Sequence, residues 1–310
     1  MEIMMQVVLL AIGFAMLVKG ADWFVDGAAG IAEKFGIPQL VIGLTIVAMG
    51  TSAPEAAVSI NAALKGNAAI TIGNVVGSNI LNILIILGIT SVIVTVAVAK
   101  STVKIEIPYM LLITLLLLCL GYTGQRITFL EGIVLWAAFL LYLTYLFQMA
   151  KKNKEEVEEK EKDQPVWKLL VFTVVGLFLI VLGSDVTVNA ATAIAKFMGM
   201  SERFIGLTIV ALGTSLPELF TSVSAAIKGK ADIAIGNVVG SNIFNILFVV
   251  GTTALITPVI FEPAFLIDMV IAIASGLLLW LCVFKNKKLK RAGGVIMLIS
   301  YAAYFVYLLR

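Results

Sequence analysis

The sequence predicts an all-α membrane protein in which ten transmembrane helices form two inverted five-helix repeats. Composition, apolar windows and an internal repeat support this prediction. Hydrophobic residues make up 61% of the 310 residues and charged residues only 13%, against about 25% charged residues in an ordinary soluble domain. The mean hydropathy is +1.07. The chain is therefore expected to be an integral membrane protein.

Apolar windows recur along the whole chain. A transmembrane helix needs about 20 mainly apolar residues to cross roughly 30 Å of hydrocarbon. Windows that meet this requirement lie at 5–26, 38–64, 71–92, 103–123, 127–149, 167–189, 202–227, 234–256, 262–284 and 292–309. Each of the ten is predicted to be one membrane span.

The sequence contains an internal repeat, in which similar segments are separated by 163 residues. Without gaps, residues 42–84 and 205–247 share 31 identities in 43 positions. Each half contains five windows, an odd number, so the second half must enter the membrane from the opposite side. Inverted repeats are typical of secondary transporters, whose substrate site lies near the midplane. The repeated motifs are expected at 43–88 and 206–251.

The charged segment 151–164, KKNKEEVEEKEKDQ, separates the two halves. It predicts a solvated linker or a helical extension between repeats at 1–150 and 165–310. With the N-terminus outside, the inside loops carry 16 of the 22 lysines and arginines and the outside loops carry 5. The positive-inside rule then predicts both termini outside, the linker in the cytoplasm, and a multi-pass protein of the cell (inner) membrane.

Two related hexapeptides interrupt apolar windows, GTSAPE at 50–55 and GTSLPE at 213–218. Pro54 cannot donate a hydrogen bond to the carbonyl of Gly50, and its ring crowds that carbonyl. Backbone groups freed in this way are tolerated in a membrane only where protein or a water-filled cavity satisfies them. Both hexapeptides therefore predict a broken helix whose break points into the protein.

The glutamates of these hexapeptides have two possible explanations. Ser52 with Glu55, and Ser215 with Glu218, have the spacing of a helix-capping box. However, an ionised side chain in the middle of the membrane costs about 2.5–3.5 kcal/mol, whereas a neutral N-cap contributes only about 1 kcal/mol. Because a glutamine could cap at lower cost, the comparison favours functional carboxylates.

A polar stripe follows each hexapeptide. Asn74, Ser78 and Asn82 lie at i, i+4 and i+8 on one face of an otherwise apolar helix. The second repeat places Asn237, Ser241 and Asn245 in the same way. Hydrogen bonding between helices and membership of a site both remain open for Asn74, Asn79, Asn237 and Asn242. For Ser78, Asn82, Ser241 and Asn245 we favour a site.

The remaining residue types restrict the chemistry of such a site. Histidine is absent, and Cys119 and Cys282 lie in apolar windows without CxxC spacing, so we expect buried free thiols. Carboxylate, hydroxyl and amide oxygens suit Ca²⁺, Mg²⁺, Mn²⁺ or Na⁺. Two glutamates would cancel the charge of one divalent ion, and after it leaves they would take up other cations or protons. This requirement is a physical basis for exchange.

The hexapeptides, with GNVVGSNILNILIILG at 73–88 and GNVVGSNIFNIL at 236–247, resemble the α-repeats of the sodium/calcium exchangers. This family belongs to the calcium/cation antiporter superfamily, and the likeness is to its prokaryotic type. The resemblance implies alternating access, in which helices 1 and 6 slide against the other eight. It also implies ion sites between helices 2, 3, 7 and 8.

Carried over to this chain, the resemblance makes Glu55 and Glu218 the central bidentate calcium ligands, which also bind sodium. The other implied ligands are hydroxyl or carbonyl oxygens of Thr51, Ser52, Thr214 and Ser215, the polar side chains of Ser78, Asn82 and Ser241, and the carbonyls of Ala48 and Ala211. Asn245 departs from the pattern, because well-described exchangers have an aspartate there. The departure bears on the number of sodium ions and on potassium dependence.

The function expected from these observations is antiport of Ca²⁺ against Na⁺, with Ca²⁺ exported as Na⁺ enters. We expect no enzymatic activity, cofactor, nucleic-acid partner or obligate protein partner; the partners are inorganic cations and the bilayer. The GTS-x-PE form favours sodium coupling, but a proton-coupled exchanger of Ca²⁺ or another divalent cation is the main alternative. A cation channel and a purely structural membrane protein are further alternatives. Asp22 and Asp185 are interpreted as anchors at helix ends.

Overall fold

The computed structural model describes residues 2–66, 68–152, 165–200 and 211–308. Residues 153–164 of the predicted linker lie outside the described residues, as does the beginning of the predicted window 202–227. Both chain ends, residue 1 and residues 309–310, are also outside them.

Helices account for nearly all of the described first half. They are α1 (Glu2–Phe35), α2 (Gln39–Ile42), α3 (Ala48–Thr51), α4 (Ala53–Leu64), α5 (Ala69–Leu81), α6 (Gly88–Ile93), α7 (Ile107–Gly124) and α8 (Phe129–Lys152). Three π-helical segments join or precede them, at Gly43–Val47, Asn82–Leu87 and Thr102–Glu106.

The described second half has a matching series. Its helices are α9 (Val166–Phe197), α10 (Ala211–Thr214), α11 (Leu216–Ile227), α12 (Ala231–Phe244), α13 (Gly251–Ile256), α14 (Phe265–Phe284) and α15 (Arg291–Leu308). A π-helical segment at Asn245–Val250 joins α12 to α13.

The described residues contain eight helices that are long and apolar enough to cross a membrane. A ninth is added if the bent pair Gln39–Thr51 and Ala53–Leu64 counts as one span. Nine of the ten predicted windows coincide with these spans, while the window 202–227 is described only from residue 211 onward. The chain is thus an all-helical membrane protein with eight or nine candidate spans in its described part.

The two longest helices pack against each other. α1 has 34 residues and α9 has 32, so each is about 50 Å long at 1.5 Å per residue, longer than the windows 5–26 and 167–189 predict. Glycines bring their backbones close together: a Cβ at Gly176 would lie 2.4 Å from the backbone nitrogen of Phe24. Buried residues of this pair belong to a hydrophobic cluster that also includes residues of α2, α11 and α12 and is distinct from the larger core.

Two short antiparallel ribbons connect the halves. β1 (Val96–Ala97) pairs with β4 (Lys288–Leu289), and β2 (Arg126–Ile127) pairs with β3 (Val259–Ile260). The shift of 163 residues that relates the repeats maps β1 onto β3. Each ribbon therefore takes one strand from each half, which fixes the halves to one another outside the helices.

The cysteines differ from the expectation of buried thiols. Cys119, on α7, is exposed, and Cys282, on α14, is half-buried; both are free. The expectation of burial was wrong for Cys119 because an apolar window does not reveal which face of a membrane helix points outward. A thiol behaves as a small hydrophobe, so an outward position is compatible with contact to lipid.

Candidate cation site

The first hexapeptide breaks a helix as predicted. α3 ends at Thr51, Ser52 leaves the helical conformation (φ −83°, ψ 6°), and α4 restarts with Pro54 in its first turn. The two arms are bent by 48°. Ser215 takes almost the same conformation (φ −90°, ψ 2°) between α10 and α11. The missing proline N–H explains why both breaks occur at this point of the motif.

The serines do not act as the capping box would require. Ser52 occupies the N-cap position of α4 and Ser215 that of α11, yet neither side chain makes a capping hydrogen bond. Instead, the Ser52 hydroxyl donates to Oε1 of Glu218 at 2.8 Å. Glu55 and Glu218 are both 1% exposed. The two hexapeptides are therefore in direct contact although 166 residues separate Ser52 from Glu218.

Several buried oxygens around the two breaks have no hydrogen-bond partner among the described residues. They are Oε1 and Oε2 of Glu55, Oε2 of Glu218, Oγ of Ser215, and Oδ1 of Asn82 and Asn245. Leaving a buried polar atom unpaired costs about 1–3 kcal/mol, and more for a charged group. Native proteins rarely keep such atoms without a structural or functional reason. Carboxylate, hydroxyl and amide oxygens are also the ligand types that hard cations accept.

The segments that carry the asparagine oxygens pack against helices of the opposite half. The π-helical segment that begins at Asn82 packs against α11, which carries Glu218. Its counterpart, which begins at Asn245, packs against α4, which carries Glu55. π-helical turns occur frequently at functional sites in helices. Both asparagines thus begin a π-helical segment that packs against the helix carrying the glutamate of the opposite half.

Reciprocal hydrogen bonds between asparagines hold the two halves together at this point. Asn79 Nδ2 donates to the carbonyl of Asn242 (3.2 Å), and Asn242 Nδ2 donates to the carbonyl of Asn79 (3.1 Å). Asn82 Nδ2 donates to Asn242 Oδ1 (2.9 Å), and Asn245 Nδ2 to Asn79 Oδ1 (3.1 Å). Asn79 and Asn242 therefore use their amides for packing. Asn82 and Asn245 are held by their nitrogens, which leaves their Oδ1 atoms unpaired.

Asn74 and its repeat counterpart support the backbone of the breaks. Asn74 Nδ2 donates to the carbonyl of Glu55 (3.1 Å) and to Ser59 Oγ (2.9 Å). In the second half, Nδ2 of Asn237 bonds in the same way to Glu218 O (3.3 Å) and to Ser222 Oγ (2.9 Å). Sequence reasoning missed the two serines. The available signal was their position four residues after each glutamate, on the same helical face.

Three of the other predicted residues lie near the two carboxylates. The hydroxyls of Thr51 and Ser241 lie within polar-contact range of Glu218, and that of Thr214 lies in the same range of Glu55. Thr51 also donates to Asn237 Oδ1 at 3.0 Å. Ser78 is buried on α5. Ala211 begins α10.

One of the two implied carbonyl ligands is already hydrogen-bonded. The Ala48 carbonyl accepts the backbone N–H of Ser52 at 3.0 Å. It also accepts the Ser241 hydroxyl at 3.3 Å. The reason is that Pro54 removes the donor for Gly50, four residues before it, and leaves the bond to Ala48 intact.

Ion pairs link α1 to the end of α11 and the following turn. Lys228 Nζ lies 2.7 Å from Asp26 Oδ1 and 3.4 Å from Asp22 Oδ1. Lys230 forms an ion pair with Glu33. α1 continues to Phe35, so Asp22 lies within this helix and not, as the sequence predicts, at its end. Among the described residues, Asp185 forms no corresponding ion pair.

Broken helices that meet inside the membrane and carry paired carboxylates are the arrangement of secondary ion transporters. A family model described as "Sodium/calcium exchanger protein" matches residues 5–148 and 168–310. The chain therefore belongs to the sodium/calcium exchanger family, a family of membrane antiporters.

Individual relatives match over nearly the full length of the chain. The protein CaxA of Alkalimonas amylolytica is 39% identical over 311 residues, covering 96% of each chain. The sodium/calcium exchanger MaX1 of Methanosarcina acetivorans is 32% identical and covers 97% of each. A solved structure of the sodium-calcium exchanger NCX_Mj, soaked with 10 mM Na⁺ and no Ca²⁺, has a TM-score of 0.85 at 33% identity. That match covers 98% of this chain and 99% of the other.

Proposed function

We propose that this protein exchanges Ca²⁺ for Na⁺ across the membrane by alternating access, and that Na⁺ entry drives Ca²⁺ export. Membership of the exchanger family supports cation exchange that includes Ca²⁺. The observation that carries the proposal for this chain is the group of buried, unpaired oxygens around Glu55 and Glu218. Carboxylate, hydroxyl and amide oxygens are ligands that both ions accept.

In the proposed site, Glu55 and Glu218 are the central ligands. Ca²⁺ takes six to eight oxygens at about 2.3–2.6 Å, so the two carboxylates need help from their neighbours. The proposed neighbours are Thr51, Ser52, Thr214, Ser215, Ser78, Asn82, Ser241 and Asn245, with the carbonyls of Ala48 and Ala211. Ser52 holds one oxygen of Glu218 in place, while both oxygens of Glu55 are unpaired. Glu55 is therefore the carboxylate more dependent on the ion.

The same geometry explains why transport would be coupled. Glu55 and Glu218 are close enough for their charges to repel, and burial removes the water that would screen them. A divalent ion cancels both charges. When it leaves, the site is stable only if other cations enter, so movement without a bound ion is unfavourable. Obligatory exchange follows from this electrostatic requirement.

We propose a ten-span architecture of two inverted repeats, with the halves at 1–150 and 165–310 and the 151–164 linker in the cytoplasm. In this architecture the protein lies in the inner membrane, with both termini on its outer side. The ribbons that take one strand from each half and the reciprocal asparagine bonds support a two-fold relation between the halves. The close packing of α1 on α9 at their glycines supports movement of this pair as one unit against the other helices.

The test is ion flux in proteoliposomes that contain the purified chain. A sodium gradient should drive uptake of radiolabelled Ca²⁺, and Glu218→Gln should abolish it. Glu262→Gln is the matched control, because this glutamate lies in an exposed loop and its replacement removes the same charge. Uptake by the control should equal that of the unaltered chain.

A proton-coupled exchanger is the second candidate, because two repelling carboxylates can also be neutralised by protons. Ca²⁺ uptake that follows a pH gradient and ignores sodium would establish this candidate and refute sodium coupling. Rapid, non-saturating Ca²⁺ flux without any counter-ion would instead indicate a channel.

A further inference from the structure

A buried carboxylate lies outside the central site, at the beginning of the span Thr102–Gly124. Glu106 is 0% exposed. The hydroxyl of Tyr145 donates a hydrogen bond to its Oε1, but its Oε2 has no partner among the residues that the structure describes. An unpaired, buried carboxylate oxygen is costly. Glu106 therefore needs a further donor or a positive charge.

Three stacked tyrosines adjoin Glu106. The ring of Tyr142 stacks on Tyr109 with centroids 5.5 Å apart and on Tyr145 at 6.4 Å. Tyr109 is fixed because its hydroxyl donates to the carbonyl of Ala138 at 2.9 Å. Tyr142 is 4% exposed, and within the described part of the chain its hydroxyl has no partner. The aromatic wall thus presents one free hydroxyl beside the free carboxylate oxygen.

These groups line a cavity of about 240 Å³ between α7 and α8. The rest of its wall is apolar and includes Ile105 and Leu141. These two side chains are 46% and 71% exposed, so the cavity opens toward the lipid. No lysine or arginine is among its described lining residues. The cavity is therefore an apolar pocket with one negative end.

The pocket chemistry excludes most occupants. A calcium ion takes six to eight oxygens, whereas the buried oxygens without a partner near this pocket are those of Glu106 and Tyr142, with Thr102 Oγ1 near Glu106, among the described residues. An anion would find no positive charge. An ammonium group can donate to Glu106 Oε2 and to the Tyr142 hydroxyl, and aromatic faces attract cations. An attached alkyl chain would lie along Ile105 and Leu141.

We propose that this pocket binds the primary ammonium group of an amphiphile, either a long-chain alkylamine or the headgroup of an aminolipid. A primary ammonium has N–H donors for both free oxygens, whereas a quaternary ammonium has none. The order of affinity is therefore primary amine, then quaternary amine, then neutral alcohol. The pocket shares no residue with the site around Glu55 and Glu218, so this proposal stands independently of the transport function.

Binding of dodecylammonium to the purified full-length chain, followed by native mass spectrometry, tests the pocket. Glu106→Gln should weaken binding about tenfold or more, because a hydrogen bond to a charged group contributes about 1.5–3 kcal/mol. Tyr142→Phe should weaken it less, and the control Glu262→Gln should leave it unchanged. Equal binding to the unaltered chain and to Glu106→Gln would overturn the proposal. Equal binding of dodecanol to the unaltered chain would do so without any variant.

The source of the ammonium group is distinguished in phosphatidylcholine nanodiscs, by the rate at which a hydrophobic carbodiimide modifies Glu106. Slower modification when phosphatidylethanolamine is included would identify an aminolipid. Slower modification only with added dodecylammonium would identify a free alkylamine. Modification of Glu106 at the same rate in all three preparations would refute the pocket.

Discussion

Replacement of Glu55 by glutamine should change stability and calcium binding in opposite directions. Both carboxylate oxygens of Glu55 are buried and without a hydrogen-bond partner in the described residues, and Glu218 repels them. Glu55→Gln keeps the size of the side chain and removes the charge. An uncompensated buried charge costs several kcal/mol, so the ion-free variant should unfold at a higher temperature than the unaltered chain.

Calcium should stabilise only the unaltered chain. At a concentration about 100 times its Kd, a ligand adds about 2.7 kcal/mol to the free energy of unfolding. Since the variant lacks one of the two charges that balance Ca²⁺, its calcium-induced shift should vanish. The assay is thermal unfolding of the purified protein at alkaline pH with and without Ca²⁺, with Glu262→Gln as the control.

The opposite result would refute this reasoning. If Glu55 were only the partner of Ser52 in a capping box, Glu55→Gln would retain the cap, because glutamine fills the same role. Ion-free stability would then be unchanged, and the calcium-induced shift would survive. The combination of a less stable ion-free variant and an intact calcium shift would exclude Glu55 from the ion site as well.

Three further predictions concern contacts between the halves. Ser52→Ala should weaken Ca²⁺ binding about tenfold in calorimetric titration, since it removes a hydrogen bond to the Glu218 carboxylate. The control Ser300→Ala, on the exposed side of α15, should bind Ca²⁺ with unchanged affinity. Asn245→Asp should raise the Hill coefficient for sodium in Ca²⁺ flux, and an unchanged coefficient would show that this position binds no sodium. Lys228→Gln should accelerate amide hydrogen exchange at the end of α1 up to about fivefold, because partly exposed ion pairs contribute about 0.2–1 kcal/mol. High salt should have the same effect on the unaltered chain. If neither the substitution nor salt changes the exchange rate, the ion pairs do not hold α1.

The ion pairs of α1 are distributed unequally between the halves. The shift of 163 residues maps Lys228 onto Lys65, Asp22 onto Asp185 and Glu33 onto Lys196. The first half therefore offers an acidic helix end to two lysines, whereas the second half places a lysine where the first has Glu33. This inequality gives the two ends of the α1–α9 pair different electrostatics.

Much of the candidate site was visible in the sequence because its causes are local. Pro54 and Pro217 lack an N–H wherever the chain places them, so the positions of both breaks followed from covalent structure. The polar stripe followed from helical spacing, and the internal repeat indicated that every feature occurs twice. The apolar composition required a membrane protein whatever the packing of its helices.

The structure decided which of the polar residues bond to the opposite half and which keep an unpaired oxygen. The sequence left packing and a site open for Asn79 and favoured a site for Asn82. In the structure Asn79 uses its amide to bind the opposite repeat, while Asn82 keeps an unpaired oxygen. Ser52 has the spacing of a cap, and it bonds instead to a carboxylate 166 residues away. The unpaired oxygen of Glu106 was likewise hidden inside an apolar window. Each of these outcomes depends on distances between residues far apart in the chain, which helical periodicity and local propensity do not encode.

The sequence by itself therefore determined the membrane class, the broken helices and the two carboxylates, because composition and proline chemistry act locally. Only the tertiary structure decided which oxygens are satisfied by protein and which remain unpaired, because that depends on how the two halves pack.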